Sequence, residues 1–207
     1  MSRRSADKAI SNGRVIINQK IADVGTQIVD GDVVFLDNHK VEPGKTEIKT
    51  IILNKPVGYV CSRNGQGSQT IYDLLPPEYT NLNPVGRLDK DSSGLLLLTN
   101  DGDLANQLTH PSYGKVKIYE IELYKPLTPL HQQMISDHGI MLEDGNSKLM
   151  LEKLGSDKNF RVTMREGRNR QIRRTFATLD YRVKSLHRTT FGNYRLNNLG
   201  LGKFQAS

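Results

Sequence analysis

A chain of 207 residues that is 36% hydrophobic can form one large domain, or a medium and a small one, around a real core. Its net charge of +7 and its pI of about 9.5 favour a polyanionic partner, most often nucleic acid. A single cysteine excludes an internal disulfide, and the absence of histidine pairs at metal-ligand spacing excludes a metal cluster. The chain also lacks an apolar run long enough for a membrane span, so we expect a cytoplasmic protein.

Residues 1–44 are predicted to form a small basic module. The pattern indicates a helix over 5–10, a turn at 18–20, a hairpin turn at 30–31 and strands over 15–17, 27–29 and 33–36. The cations that predict an RNA-binding face are Arg3, Arg4, Lys8, Arg14 and Lys20. A linker is expected over 41–45, because Pro43 and Gly44 interrupt regular structure there.

Residues 45–207 are predicted to form a larger domain in which strands outnumber helices. Strands are expected over 48–53, 59–60, 95–98, 113–124, 148–151, 160–164, 183–188 and 194–196. Helices are expected over 70–75, 103–108, 130–138 and 169–179, with Asp103 capping the second. Because strands and helices do not follow βαβ order, the predicted fold class is α+β, with a largely antiparallel mixed sheet flanked by helices.

The most informative stretch is the loop Gly86-Arg87-Leu88-Asp89-Lys90-Asp91-Ser92-Ser93-Gly94, which precedes the apolar run 95–98. Its glycines permit unusual backbone angles, and the buried strand that follows fixes the loop to a core. A lone carboxylate on an anchored loop, with a cation nearby, is how a chain presents a nucleophile or an acid–base group. Taken alone, an Asx-turn before a strand is the commoner explanation.

Two further segments carry chemistry. In 117–119 the strand alternation places Lys117 and Tyr119 on one face, where Tyr119 is either core filling or a platform for an extruded base. Residues 165–188 concentrate the positive charge in arginines suited to bidentate phosphate contacts. Arg170, Arg173 and Arg174 are spaced to share a helix face, and we expect that face to contact RNA.

These segments together resemble the pseudouridine synthases, in particular the RsuA/RluB/RluF branch that modifies ribosomal RNA. The resemblance rests on motifs in the family's order: Lys55-Pro56-Val57-Gly58, Gly86-Arg87-Leu88-Asp89 with Ser92 to Gly102, Lys117-Ile118-Tyr119, Glu166 to Arg174, and Leu186-His187-Arg188. The N-terminal module resembles the S4 RNA-binding domain through Ser2-Arg3-Arg4-Ser5-Ala6 and Gly13 to Asn18, with the first S4 helix expected to be missing.

The resemblance implies an enzyme that isomerises a uridine in RNA to pseudouridine, with no cofactor. It implies that Asp89 is the essential carboxylate, which attacks C1′ or assists elimination to a glycal, and that Arg173 is its partner. Tyr119 would stack on the uracil, Arg87 would fill the space of the flipped nucleotide, and Ile172 would pack on the base edge. The remaining implied RNA contacts are Lys117, Arg168, Asn169, Arg170, Gln171, Arg174, Arg188, Arg3, Arg4 and Arg14.

Structured ribosomal RNA is the expected partner and 23S RNA the expected target, because the loop and the leucine run look closest to the large-subunit enzymes of this bacterial family. The small-subunit 16S RNA and transfer RNA stay open, and a monomer is favoured. Two other classes also remain. A non-catalytic RNA-binding or ribosome-assembly protein fits the charge equally well, and a nucleoside hydrolase would need paired carboxylates, for which Asp91 is the nearest second acid.

Overall fold

The computed structural model describes residues 1, 3–42, 44 and 47–207, and these form two compact units, Met1–Glu47 and Ile48–Ser207. The predicted linker at 41–45 lies partly outside the described residues, since Pro43 and Lys45 are not among them. The S4 likeness of the first unit stays a prediction.

The N-terminal unit combines one helix with a four-stranded antiparallel sheet of order β2-β1-β3-β4. Its elements are α1 Arg3–Ser11, β1 Val15–Ile17, β2 Lys20–Ile21, β3 Val34–Leu36 and β4 His39–Val41. The predicted helix, first strand and 18–20 turn are confirmed. Asn18 and Gln19 have φ values of 46° and 71°, as the first two-residue hairpin requires.

The strand predicted over 27–29 is wrong, because this segment has no regular structure and its Ile28 and Val29 are exposed. Asp32 explains the difference: its carboxylate accepts hydrogen bonds from the Val29 N–H and the Asn18 side chain, so side-chain capping replaces a strand ladder. The second hairpin accordingly turns at 37–38 instead of 30–31.

The second unit is built on a mixed sheet flanked by helices. Its strands are β5 Thr50–Lys55, β6 Asn83–Pro84, β7 Ser93–Thr99, β8 Lys117–Leu123, β9 Ile140–Leu142, β10 Gly145–Ser147, β11 Met150–Lys153, β12 Asn159–Met164, β13 Val183–Phe191, β14 Tyr194–Arg195 and β15 Phe204–Ala206. Its α-helices are α2 Gly102–Thr109, α3 Pro129–Gln133 and α4 Gln171–Ala177, with 3₁₀ turns at Ile71–Leu74, Pro77–Tyr79 and Pro111–Tyr113 and a π-helical turn at Met134–His138.

The main sheet has the order β11-β12-β8-β13-β7-β5-β15, with β14 added to β13 and β6 added to β7. Its neighbouring strands are antiparallel except for the parallel pair β7 and β13. The predicted fold class, α+β with a largely antiparallel mixed sheet, is therefore confirmed. The hairpin β9–β10 and the edge strand β15 were not predicted, because each is short and lacks an alternating apolar pattern.

One capping prediction needs correction. The N-cap of α2 is Asp101 and not Asp103, since the Asp101 carboxylate accepts from the N–H groups of Asp103 and Leu104 at 2.9 and 3.1 Å. Asp103 lies in the first turn of α2, where a carboxylate favours the positive end of the helix dipole.

The apolar run of β7 explains how the Asp89 loop is anchored. Leu96 and Leu98 face the core under α4, whereas Leu95 and Leu97 face a second core under α2. A strand buried on both faces reads as a continuous apolar run, which is what the sequence shows. The loop before β7 therefore leads directly into the core of the second unit.

Gly94 should be the most sensitive glycine of this sheet. It has a φ of 108°, and a Cβ there would lie 2.2 Å from the carbonyl oxygen of Arg188 on the parallel strand β13. We expect Gly94→Ala to lower the free energy of unfolding by about 3–5 kcal/mol, because it combines backbone strain with overpacking. Denaturant unfolding checks this, with Gly102→Ala as the control, since a Cβ at Gly102 meets nothing within 4 Å. Equal midpoints for the two variants would contradict it.

Candidate active site

Lys55 holds the Asp89 loop from below. Its fully buried ammonium donates hydrogen bonds to the carbonyl oxygens of Pro56, Asp89 and Ser92 at 3.0, 3.0 and 2.7 Å. Burial lowers the pKa of Lys55, because the charged form is disfavoured away from water. The Lys-Pro-Val-Gly motif thus contributes the amine that fixes the loop backbone at Asp89 and three residues beyond it, at Ser92.

Cys61 supports the same loop from the irregular segment that follows the β-bridge residue Val60. Its thiol donates to the Leu88 carbonyl oxygen at 3.3 Å and accepts from the Leu88 N–H at 3.4 Å. Burial raises the pKa of this thiol, so it stays protonated near neutral pH. A protonated, hydrogen-bonded thiol suits a packed supporting side chain rather than a nucleophile.

We expect Lys55→Met to lower the free energy of unfolding by about 2 kcal/mol and turnover more than tenfold. The substitution leaves three backbone carbonyl oxygens, two of them in the Asp89 loop, without this donor, and an unsatisfied buried polar group costs about 1–3 kcal/mol. Urea unfolding and a turnover assay measure the two effects. Lys203→Met, at an exposed lysine beside the edge strand β15, is the control, and a Lys55→Met protein as active as this control would contradict the role.

A cleft of about 330 Å³ opens beside the loop, and it brings the three predicted motifs together. This volume is within the range of small-molecule sites, roughly 300–1,000 Å³. Its cations are Arg87, Lys117, Arg168, Arg170, Arg173 and Arg188. Asp89 is the carboxylate among the described residues that line it, so the cleft is strongly positive around one acid.

The arginine contacts differ from those predicted. Arg170, not Arg173, touches Asp89, with 3.3 Å between Nη1 and Oδ2. Arg170 also forms a bidentate pair with Asp91 at 3.0 and 2.8 Å. The reason is local backbone geometry: Arg170 precedes the first turn of α4 with a left-handed φ of 46°, which directs its side chain toward the loop.

Arg173 lies deeper and acts on the backbone of the loop. Its guanidinium donates to the carbonyl oxygens of Asp91 at 2.8 Å and Val183 at 3.0 Å, and its Nε lies 3.2 Å from the Asp91 carboxylate. The hydrogen bonds of Arg170 and the charge of Arg173 hold the pKa of Asp91 below its usual range. Asp91, to which the resemblance assigns no catalytic part, therefore links both arginines.

The floor of the cleft follows the predicted alternation of β8. Tyr119 is 8% exposed and packs in the same core as Ile172, and Lys117 lines the cleft on the same side, which confirms the shared face. Lys117 donates to the Glu166 carbonyl oxygen at 3.3 Å. Burial, together with the charge of Arg188, lowers the pKa of Lys117.

Arg188, one of the expected RNA contacts, is buried in the cleft wall. It is 2% exposed, its Nε donates to the Leu95 carbonyl oxygen at 2.8 Å, and its guanidinium lies 4.8 Å from the centre of the Phe191 ring. Within the described chain its Nη2 has no hydrogen-bond partner. Arg188 is consequently a fixed cation in the wall of the cleft.

Arg168, Gln171 and Arg174, which were expected to contact RNA, also make contacts within the protein. Arg168 and Arg174 both bind Asp144 at the tip of the β9–β10 hairpin, at 3.0 Å and 2.6 Å. Gln171 is 2% exposed, donates to Ser147 at 3.0 Å and accepts from the Arg168 N–H. These three side chains position the loop that carries Arg170, and their contact with RNA stays a prediction.

Asn169 and Arg87 remain exposed at the mouth of the cleft, where the prediction needs them. In the N-terminal unit Arg3 and Arg4 are exposed on α1, whereas Arg14 forms a two-point ion pair with Asp37. Arg14 therefore links the start of β1 to the β3–β4 turn, and its contact with RNA stays a prediction.

Sequence reasoning missed the supporting roles of Lys55 and Asp144. The signal for Lys55 was its place at the end of a strand of buried residues, before Pro56.

Among the described residues there is no cluster of three metal-ligating side chains, and none of their helices has the length and apolar character of a membrane span.

Known proteins similar to this chain point to one chemistry. The model of the RNA pseudouridylate synthase family matches residues 49–178. The dual-specificity RNA pseudouridine synthase RluF of Escherichia coli strain K12 is 37% identical over 205 residues, which cover 99% of this chain and 70% of that relative. The ribosomal large subunit pseudouridine synthase B of Xylella fastidiosa is 37% identical over 207 residues, covering 94% of this chain and 44% of that relative. A crystal structure of a pseudouridylate synthase matches with a TM-score of 0.73 and 32% identity, over 100% of this chain and 90% of that chain.

Proposed function

The chain belongs to the RNA pseudouridylate synthase family and is an RNA-modifying isomerase, and we propose that it converts one uridine of large-subunit ribosomal RNA to pseudouridine with Asp89 as the catalytic carboxylate. The observation that carries this proposal is the cleft. It unites Asp89, Tyr119 and Arg170 from three separate motifs at one positively charged opening.

The cleft supports a flipped-out substrate. Reaching C1′ of a nucleotide requires that the base leave its stack, at a cost of a few kcal/mol. Tyr119 and Ile172 offer apolar surface for the base at the bottom of the cleft. Arg87, exposed at the mouth, is placed to occupy the space that the base vacates.

Asp89 is suited to act on the sugar. Its side chain is 36% exposed, so the substrate can approach it, and the Arg170 guanidinium lies 3.3 Å from its carboxylate. The carboxylate either attacks C1′ or assists elimination to a glycal; in both cases the N-glycosidic bond breaks, the base turns, and C5 joins C1′. Atoms are neither gained nor lost, so the proposed reaction calls for no redox partner.

The relatives support ribosomal RNA as the substrate. One is named for the large ribosomal subunit, which agrees with the prediction from the loop and leucine run, and another carries dual specificity in its name. We therefore place 23S RNA first and a second RNA, 16S or transfer RNA, as the alternative. We further propose that the enzyme works as a monomer in the cytoplasm.

Pseudouridine mapping of total ribosomal RNA tests the proposal. RNA from cells with and without the protein is treated with carbodiimide and read by primer-extension stops. We expect one stop in 23S RNA to disappear without the protein and to return with the wild type but not with Asp89→Asn. An unchanged map together with tight RNA binding would favour the non-catalytic RNA-binding class, and release of free uracil would favour a hydrolase.

A further inference from the structure

A second groove lies beside the cleft, on the other side of Asp91. Its volume is about 390 Å³, and Arg170 and Arg173 line both it and the catalytic cleft. An RNA strand that places its target nucleotide at Asp89 has to continue past that nucleotide. The second groove is the depression next to the cleft, where the following RNA could lie. The two openings thus share Arg170 and Arg173 as a common border, and Arg170 is ion-paired with Asp91 on the groove side.

The groove is positive beyond the two shared arginines. It is completed by Arg182 and Lys184, which come from the start of β13 and are both exposed. Lys184 is paired with Glu122 at 2.9 Å, whereas no ion pair is formed by the Arg182 guanidinium within the described part of the chain. Asp91 is the carboxylate of the described lining, and Arg170 and Arg173 already engage it.

Tyr124 gives the groove an aromatic surface. It is 54% exposed although it directly follows a strand, and the Arg182 guanidinium lies 5.2 Å from the centre of its ring. The backbone fixes this pair, because the Tyr124 N–H donates to the Arg182 carbonyl oxygen at 3.1 Å. An exposed aromatic ring beside a guanidinium that forms no ion pair is the arrangement on which single-stranded bases stack without sequence preference.

We propose that this groove binds a single-stranded RNA nucleotide that flanks the target uridine, with Tyr124 stacking on its base and Arg182 binding its phosphate. The inference rests on the proposed function, since it assigns the strand's path from the Asp89 cleft. An acidic protein segment would match the charge, but it would make no use of the exposed ring beside a cation. RNA uses both.

The test measures binding of a fluorescein-labelled oligouridylate of about 12 nucleotides by anisotropy across a salt series. Tyr124→Ala should weaken binding roughly tenfold, while Tyr124→Phe, which keeps the ring, should bind like the wild type. Arg182→Gln should reduce the salt slope of log K by about 0.7, the value for one phosphate contact on a single strand, and Arg182→Lys should retain it. Lys203→Gln, on the edge of the sheet, is the control for lost charge alone.

Affinities and salt slopes of the Tyr124 and Arg182 variants equal to those of Lys203→Gln would overturn the proposal. Weaker binding of a polyglutamate probe with unchanged RNA binding would also overturn it, in favour of an acidic protein. Because binding is read without turnover, a missing pseudouridine with the expected binding pattern would refute the proposed function alone. If the wild type forms pseudouridine and the Tyr124 and Arg182 variants bind RNA as the wild type does, only the proposal for the groove is refuted.

Discussion

Asp89→Asn is expected to lower turnover by roughly four orders of magnitude while leaving RNA affinity within about twofold of the wild type. The amide is nearly the same size but carries no negative charge, so it can neither attack C1′ nor assist departure of the base. The loop itself should persist, because Lys55 and Cys61 hold backbone atoms and not the Asp89 carboxylate. Single-turnover kinetics on a 23S fragment and anisotropy with the same RNA measure the two quantities.

Asp157→Asn is the matched control, since Asp157 is an exposed carboxylate that pairs only with Lys153 among the described ion pairs. It should turn over like the wild type. Joint loss of turnover, RNA binding and thermal stability in Asp89→Asn would identify Asp89 as a structural residue of an Asx-turn, which is the alternative that its loop allows.

The position of the Asp89 loop could be predicted because it depends on residues that are neighbours in the sequence. Glycines, one carboxylate and a following apolar strand suffice to place Asp89 at the surface of a core, and the burial of β7 on both faces is written in the four leucines. The same reasoning placed Lys117 and Tyr119 on one face, because strand alternation is a property of neighbouring residues.

The partners of the arginines were not predictable in the same way. Helical spacing groups Arg170, Arg173 and Arg174, but it does not show that Arg170 lies before the helix in a left-handed conformation. Nor does it show which carboxylate each side chain meets, because Asp91 and Asp144 are distant in sequence and reach α4 only through the tertiary fold. Long-range pairing is decided by packing that no local pattern records.

Arg173→Ala is expected to lower kcat by roughly 100-fold, equivalent to about 2.7 kcal/mol of activation free energy. Its side chain is 14% exposed, and its loss removes donors from the carbonyl oxygens of Asp91 and Val183 as well as a charge beside the loop. Arg170→Ala should instead raise KM several-fold with a smaller change in kcat. Arg170 is 42% exposed and sits in a solvated ion pair, which RNA phosphates can replace.

Steady-state kinetics of the two variants separate these roles, with Arg161→Ala as the control, since Arg161 pairs with Glu152 in neighbouring strands. Arg173→Lys should recover only part of kcat, because a single ammonium cannot span two carbonyl oxygens and a carboxylate as the guanidinium does. If Arg170→Ala abolishes turnover while Arg173→Ala stays near the wild type, then the contact present without RNA is the catalytic one. Arg170 would then be the true counterion of Asp89, and Arg173 would serve only to hold α4 against the loop.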